Sequence, residues 1–496
     1  MNSYTNYDLC IVGTGPSSFF LVKKVLEKNP STKIIIIEAG SKNKKLRDNH
    51  SNSYNHTGLP FKLNPTTFIG LGGTSELWHN VLAPMDEIDF MERSWISGSG
   101  WPINYQDLEI HYKEVANYFD MPFHLFKKNN FKDILKKYVE EVQFDASIFD
   151  NKIFMQPKSI FRSKQAFIKE LIPNSSIKIL YEHEALSFDI SKDAKSFKAD
   201  SIVCGNKKTN ALTKIEAKSY IICAGALSSP RILLNTPEIS RRNTNIGKYL
   251  LDHPMGNFYQ MKYQDKKVTK LYTDLNFNDK WKVKSAIVLD TQFQEKNSMP
   301  NSAFFIRPSF YMGIDQRTDD AKLALLTMRN KLLNFKVPFK EASYLLTNLN
   351  LARQVLQYKT GLSSKHKWAD FMFVTEQIPR AESMIYLSNK KDRWGMSEIS
   401  VNWNLSNQEI NNMEKFYDLI DLGLNKMNNS KMVYKKNDVQ WLDRMSSAAH
   451  HMGTCRMSND TKNGVVDKNL KVHGSRNIYI CDGSVFPTVG NANPTF

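Results

Sequence analysis

The first residues suited to chemistry are the glycines of the segment Gly13-Thr14-Gly15-Pro16-Ser17-Ser18, near the amino terminus. The apolar run 9–12 precedes this segment and an amphipathic stretch follows it, so it joins a predicted strand to a predicted helix. Glycine lets a phosphate approach the backbone, and the amino end of a helix offers free N–H groups and a positive dipole. Gly13 and Gly15 occupy the first two positions of a dinucleotide-binding turn, whereas Ser18 stands in place of the third glycine.

A carboxylate at the end of the next predicted strand strengthens the dinucleotide interpretation. Glu38 follows the apolar run 33–37 and can accept hydrogen bonds from both ribose hydroxyls. A carboxylate at this place disfavours the 2′-phosphate of NADP. This unit by itself does not separate FAD from NAD, and a tight turn without a ligand is the structural alternative. Its position at the extreme amino terminus favours FAD.

A second group of chemically suited residues lies at the carboxyl end, in His450-His451-Met452-Gly453-Thr454-Cys455-Arg456-Met457. Further motifs follow within residues 464–467, 470–474, 477–487 and 491–495. In order and spacing this block resembles the carboxyl-terminal region of the glucose-methanol-choline (GMC) oxidoreductases. Shorter stretches are similar to the same family along the rest of the chain: residues 72–78, 101–108, 224–230, 245–254 and 376–379.

The resemblance implies an α/β fold, α+β overall, with two discontinuous domains. One is a Rossmann-like FAD-binding domain, expected over residues 1–95, 200–260 and 440–496. The other is a substrate-binding domain with an antiparallel sheet above the flavin, expected with its connecting segments over residues 96–199 and 261–439.

The same resemblance implies which residues hold FAD. Those expected at the ADP half lie in the first loop and second strand, and those at the pyrophosphate and flavin lie in a second glycine loop and near the carboxyl end. Asp482 is expected at the ribityl or pyrophosphate region, and residues 493–495 at the pyrimidine side of the ring. The full expected set is Gly13, Gly15, Ser18, Glu38, Gly72, Gly73, Thr74, Trp78, Asp482, Pro494 and Thr495.

Non-covalent binding of FAD is expected. Some members of the family attach the flavin through a histidine of the second loop. Here the candidate positions carry Glu76 and Leu77, which cannot make that bond, and His79 comes one or two residues too late.

Oxidation of an alcohol requires a base for the hydroxyl proton while a hydride leaves the carbon for flavin N5, and histidine suits this task because its pKa lies near neutrality. The family's catalytic histidine lies three residues before the glycine of the Gly-Thr pair, which is His450 here. Asn493 is implied as the second active-site residue, donating a hydrogen bond to the substrate oxygen. His451 is the main rival to His450, and structural roles are predicted for His253 and His473.

Composition supports an ordinary globular enzyme. Hydrophobic residues make up 41% of the 496-residue chain, and no stretch has the roughly 20 apolar residues of a membrane span. The net charge is +17, but the lysines are spread along the chain without an arginine-rich arm, so nucleic acid is not a predicted partner. Five scattered cysteines indicate neither a disulfide framework nor a zinc site, and are interpreted as buried reduced thiols. The polar amino terminus predicts a cytoplasmic location.

Several points stay open at this stage. The expected partners are a small-molecule alcohol and an unidentified electron acceptor, and a sugar or other polyol is favoured over choline or a sterol. A flavin-dependent lyase and a catalytically impaired flavoprotein are the alternatives on the same scaffold. Residues 342–356 predict an amphipathic helix, which could also line a substrate entrance or touch a membrane surface. The family continues into a helix where this chain stops, at Phe496, so either the sequence is a fragment or the protein lacks that helix, and weak retention of the flavin or low stability is expected.

Overall fold

The structure is a computed structural model that describes residues 2–44, 55–59, 66–127, 145–193, 196–262, 275–309, 328, 331, 337–340, 342–343, 368–425, 431–432 and 445–496. The strands, in chain order, are β1 Asn2–Val12, β2 Ile34–Glu38, β3 Asn55–Gly58, β4 Phe149–Pro157, β5 Ile177–Tyr181, β6 His183–Lys192, β7 Phe197–Asn206, β8 Leu212–Ile222, β9 Pro254–Lys262, β10 Leu275–Asn276, β11 Trp281–Leu289, β12 Ser302–Ser309, β13 Trp368–Thr375, β14 Met384–Lys391, β15 Ser397–Trp403, β16 Lys431–Met432, β17 Met445–Ser447 and β18 Ile478–Ile480. The helices are α1 Pro16–Lys28, α2 Glu87–Phe90, α3 Tyr105–Tyr118, α4 Ser163–Ala166, α5 Gly225–Leu234, α6 Pro237–Ser240, α7 Thr291–Asn297 and α8 Asn407–Asn425.

The first sheet has seven strands in the order β5-β2-β1-β8-β7-β6, with β18 paired to β8. Its centre is parallel because β1 pairs with both β2 and β8 in that direction, with Val12 opposite Ile37 on one side and Ile222 on the other. All five residues of β2 are buried, which is typical of a parallel strand covered on both faces. This sheet and α1, which follows β1, form the predicted β-α-β unit.

The second sheet has eight strands in the order β10-β11-β12-β13-β9-β16, with β4 on β11 and β17 on β9. All its strand pairs are antiparallel. Aromatic side chains fill its core, among them Trp281, Phe304 and Phe371, each at most 1% exposed. A third, three-stranded sheet contains β14, β15 and β3. The mixed α/β architecture with an antiparallel sheet confirms the predicted fold class.

Strands β5 and β6 do not follow the expected domain boundaries. Strands β5 and β6 fall within residues 96–199, the range expected for the substrate domain, yet both join the first sheet. The physical reason is that β5 pairs in parallel with β2, so that Ile34 to Glu38 have partners on both edges. The boundaries of the two domains otherwise stay a prediction.

Most of the predicted helix at residues 342–356 lies outside the described residues. Among the residues that the structure describes, no helix combines the length and the apolar character that a bilayer crossing requires.

Candidate active site and nucleotide cavity

A cavity of about 1600 Å³ lies where β1, β2, β8 and β18 end. In parallel sheets, ligands bind at the carboxyl ends of the strands, so the position is the expected one for a nucleotide. Most of the residues predicted from the sequence line it: Gly13, Gly15, Glu38, Gly73, Thr74, His450, Asp482, Pro494 and Thr495.

Four predicted residues are not among those that line this cavity: Ser18, Gly72, Trp78 and Asn493. Ser18 is fully buried in α1, where a small side chain lets the helix pack closely on the sheet. Trp78 packs against the aromatic core of the second sheet. Asn493 is half-buried and directly precedes Pro494, which does line the cavity.

The first loop is built around two glycines with different tasks. Gly13 has a φ of +98°, and a Cβ there would lie 2.5 Å from the carbonyl oxygen of Cys223. Gly15 begins α1 as its N-cap with a φ of −71°, and no heavy atom of the described residues lies within 4 Å of its Cβ position. Gly13 therefore permits the fold of the loop, whereas Gly15 leaves open space at the amino end of the helix, where a phosphate would lie.

Thr14 joins three parts of the nucleotide site. Its Oγ1 donates to Glu38 Oε2 at 2.5 Å and accepts from the backbone N–H of Gly72 at 3.0 Å. Glu38 Oε1 accepts from the N–H of Gly40 at 2.7 Å. Burial raises the pKa of Glu38, although these hydrogen bonds oppose the shift. Since each carboxylate oxygen can accept more than one bond, Glu38 still has capacity for ribose hydroxyls.

Asp482 joins the carboxyl-terminal block to the loop after β8. Its Oδ2 accepts from the N–H of Gly225 at 2.9 Å and from Ser229 Oγ at 2.6 Å, and its Oδ1 accepts from the N–H of Ser484 at 2.9 Å. Gly225 has a φ of +78° and, like Gly15, no heavy atom of the described residues within 4 Å of its Cβ position. Backbone therefore faces open space on two sides of the cavity.

The cavity's form fits FAD. Two glycines leave open space, a helix of 13 residues presents its amino end, and a buried carboxylate lies at the end of the second strand. These are the groups that a pyrophosphate and a ribose require. The fit rests on groups contributed by residues as far apart in the chain as Gly13 and Asp482.

His450, which also lines the cavity, is hydrogen-bonded to His253, with 2.8 Å between their Nδ1 atoms. His253 Nε2 lies 3.0 Å from the carbonyl oxygen of Gly490 and 3.3 Å from that of Val489. Carbonyl oxygens only accept, so His253 must carry its proton on Nε2 and accept at Nδ1. His450 must then donate from Nδ1, which leaves its Nε2 as the nitrogen with a free lone pair.

Asp252 is bonded to the loop that carries His450 and His451. Its Oδ1 accepts from the backbone N–H groups of His253 at 2.7 Å and His450 at 3.1 Å. Its Oδ2 accepts from Ser447 Oγ at 2.6 Å and lies 3.8 Å from His451 Nε2. Burial raises the pKa of Asp252 to about 7, while these hydrogen bonds oppose the shift.

All three histidines are held neutral at physiological pH. Burial lowers the pKa of His253 to about 4 and that of His451 to about 4. Burial, and then the neighbouring His253 and His451, lower the pKa of His450 well below its usual range. A neutral imidazole is the form that accepts a proton, so His450 is in the protonation state that a base requires.

The sequence prediction missed the role of Thr14 and did not find the partner of His253. Thr14 lies inside the glycine loop, but nothing in the sequence indicates that its hydroxyl bridges Glu38 and Gly72. His253 was assigned a structural role, and the structure adds its bond to His450, 197 residues away in the chain. The Asp-His-Pro motif around His253 was the available signal.

Comparison with known proteins agrees with this fold. Family models described as GMC oxidoreductase match residues 157–255 and 379–496. The structure is similar to that of a pyridoxine 4-oxidase from Mesorbium loti, with a TM-score of 0.58 and 14% sequence identity over 98% of this chain and 96% of the other. The two matches confirm the predicted resemblance to the GMC oxidoreductases, a family of FAD-dependent enzymes.

Two curated relatives match shorter segments. A paromamine 6′-oxidase from Streptomyces fradiae is 24% identical over 117 residues, which are 24% of this chain and 21% of the relative. A 6‴-hydroxyparomomycin C oxidase from Streptomyces lividus is 46% identical over 48 residues, 10% of this chain and 9% of the relative. The chain thus covers about a fifth and about a tenth of the lengths of these relatives.

Proposed function

We propose that this protein oxidises an alcohol, with His450 as the base and non-covalently bound FAD as the hydride acceptor. The observation that carries the proposal is the hydrogen bond between His253 and His450, because it leaves His450 Nε2 free to accept a proton. A base poised in this way, beside a cavity that fits FAD, matches what removal of a hydride from an alcohol carbon requires.

When bound, FAD would accept the hydride that leaves the substrate carbon. Gly13, Gly15 and Glu38 would hold its ADP half, and Gly73 and Asp482 would lie nearer the flavin. Non-covalent attachment is supported by the residues of the second loop. The turn Gly73–Glu76 is followed by Leu77, and neither Glu76 nor Leu77 carries a group that bonds to the flavin ring.

The protein's own part in the reaction is proton transfer and orientation. His450 Nε2 takes the hydroxyl proton, while Nδ1–H stays bonded to His253 and fixes the plane of the ring. The buried Asp252, which accepts hydrogen bonds from the backbone N–H groups of both histidines, holds their loop in position. Asn493 would donate a hydrogen bond to the substrate oxygen as it gains negative charge.

A sugar or other polyol is the proposed substrate class. The sequence resemblance favours this class, and the two curated relatives are named as oxidases of paromamine and of 6‴-hydroxyparomomycin C. We therefore propose a hydroxyl of a sugar-like ring system, rather than choline or a sterol, as the group that is oxidised.

The test is the visible spectrum of the FAD-loaded protein under argon, before and after addition of sugars, aminoglycosides, polyols and simple alcohols. Bleaching of the oxidised-flavin band by a polyol supports the proposal. Bleaching only by a non-sugar alcohol contradicts the substrate class. An oxidised band that persists while a compound is cleaved would establish lyase chemistry instead.

Variants test the role of the base. His450→Ala should slow flavin reduction about a hundredfold or more while FAD stays bound. His473→Ala is the matched control, since His473 lies outside the cavity and bonds to Ser458 Oγ at 3.3 Å. His451→Ala tests the rival: a larger loss with this variant than with His450→Ala would transfer the role of base to His451.

A further inference from the structure

Two cysteines lie side by side where β8 and β18 reach the nucleotide cavity. The two strands are parallel, with Ile222 opposite Ile480, and Cys223 and Cys481 are the next residue of each. The N–H of Cys481 donates to the carbonyl oxygen of Ile222 at 2.8 Å, so the pairing continues to this point. Neighbouring strands are about 4.8 Å apart, which is within the Cα separation that a disulfide spans.

Both thiols can be reached from the cavity, and they differ in reactivity. Cys223 and Cys481 line the cavity, and both are unoxidised. A side-chain hydrogen bond from Cys223 lowers the pKa of Cys481, and the same bond raises the pKa of Cys223. Cys481 is also the more exposed of the two. It therefore has the properties of an attacking thiolate, with Cys223 as its resolving partner.

A second pair of cysteines in the same sheet provides a contrast. Cys10 in β1 and Cys204 in β7 belong to one apolar cluster, and both are 0% exposed. Burial raises the pKa of each thiol well above its usual range. A fully buried, protonated pair is inert, so reactivity is expected only at the cavity.

We propose that Cys223 and Cys481 form an oxidisable dithiol. A peroxide converts this dithiol into a disulfide between β8 and β18, and the disulfide weakens the binding of FAD. Only the effect on FAD rests on the proposed function. The dithiol itself rests on the strand register and on the position of both residues at the cavity.

The reaction consumes one peroxide and two thiols. The Cys481 thiolate attacks one peroxide oxygen, the O–O bond breaks, and a sulfenic acid and hydroxide form. Cys223 sulfur then attacks the sulfenic sulfur, the S–O bond breaks, and the S–S bond forms. The leaving hydroxides take the two thiol protons and become two water molecules. The thiols lose two electrons, and the peroxide gains them.

The disulfide would disturb the residues around the cavity that hold the nucleotide. Two sulfurs in a disulfide are about 2.0 Å apart, so the ends of both strands must adjust. Gly225 lies two residues after Cys223 and Asp482 directly follows Cys481, and these two residues share a hydrogen bond of 2.9 Å. The carbonyl oxygen of Cys223 lies 2.5 Å from the Cβ position of Gly13, so a shift at Cys223 reaches the first loop as well.

The experiment treats the full chain, as purified, with hydrogen peroxide and measures intact mass, disulfide-linked peptides and the Kd of FAD. We expect a mass loss of about 2 Da from the two released hydrogens, a linked peptide pair containing Cys223 and Cys481, and a Kd raised about tenfold or more. Dithiothreitol should restore the mass and the Kd. These readouts do not depend on alcohol oxidation, so they separate this inference from the proposed activity.

Variants complete the test. Cys481→Ser and Cys223→Ser should each abolish the loss of 2 Da, and the matched control Cys204→Ser should retain it. The inference fails if peroxide leaves both thiols free, if it adds oxygen to Cys481 without linking it to Cys223, or if the linked protein binds FAD as tightly as the reduced one.

Discussion

His253 and His450 share a hydrogen bond of 2.8 Å between their Nδ1 atoms, and the backbone carbonyls of Val489 and Gly490 decide its direction. Because those carbonyls occupy Nε2 of His253, only Nδ1 of His253 can accept. A buried residue that contacts no substrate in this arrangement therefore sets which nitrogen of His450 is the base. His253 is a positioning residue for the proposed reaction.

Replacement of His253 tests this role. His253→Phe keeps a ring in the buried site but has no acceptor for His450 Nδ1–H. We expect flavin reduction to slow by up to about a hundredfold, because the base loses its orientation, with FAD still bound. Stopped-flow measurement of flavin reduction gives the rate constant.

His253→Asn is the matched variant, because its side-chain oxygen lies near the position of Nδ1 and can accept the same bond. It should retain a much larger share of the rate. Equal rates for the wild type and the Phe variant would remove His253 from the reaction, and equal losses in the Phe and Asn variants would indicate a general structural role.

The pH dependence of flavin reduction follows from the lowered pKa of His450. The neutral form accepts the proton, so the rate constant is maximal above the pKa and falls as pH drops through it. Burial moves that pKa below the usual value near 6.5, so we expect a flat profile from neutral pH upwards and a decline only in more acidic solution. A profile measured from pH 4.5 to 9 checks this.

The control repeats the profile with substrate that is deuterated at the oxidised carbon. A slower flavin reduction with this substrate at every pH would show that the measured rate constant reports hydride transfer. An apparent pKa at or above 6.5 would contradict the proposed environment of His450.

Substitution of the two glycines of the first loop should cause two different defects, one in FAD binding and the other in stability. Gly15→Ala places a methyl group in open space at a φ that alanine adopts freely, so the FAD-free protein should keep its Tm while the Kd of FAD rises about tenfold or more. Gly13→Ala forces a positive φ and a contact of 2.5 Å with a carbonyl oxygen. It should destabilise the fold by about 2 kcal/mol or more. Thermal unfolding and flavin titration separate the two effects, and a shared defect would contradict the assignment.

A buried ion pair predicts a large effect on stability. Arg93 Nη1 and Nη2 donate to Glu376 Oε2 and Oε1 at 2.8 and 2.6 Å, and both side chains are at most 1% exposed. Methionine has no charge, so Arg93→Met leaves the Glu376 carboxylate buried without its cation and should cost about 3–5 kcal/mol in the free energy of unfolding. Urea denaturation measures the loss.

The more exposed pair of Arg380 and Glu382, 3.7 Å apart, supplies the control. Arg380→Ala should cost less than about 1 kcal/mol, because solvent screens an exposed pair. Similar losses in the two variants would show that burial does not determine the contribution of Arg93.

Much of the candidate nucleotide site could be predicted because its signals are local. Gly13, Gly15 and Glu38 lie within one strand-helix-strand unit, and backbone freedom and a carboxylate at a strand end are properties that neighbouring residues specify. The place of β5 and β6 in the first sheet could not be predicted this way. Strand pairing depends on edges that distant segments supply, as β2 does for β5.

The sequence by itself determined the family resemblance, the first glycine loop, the carboxylate at Glu38 and the candidate base His450, since each depends on residue type and short spacing. The tertiary structure decided that Thr14 bridges Glu38 and Gly72, that Cys223 lies beside Cys481, and that His253 accepts from His450. These relationships join residues up to 258 positions apart in the chain (481 − 223), so no short sequence pattern specifies them. The direction of a hydrogen bond depends on which donors and acceptors the fold brings within about 3 Å of each other.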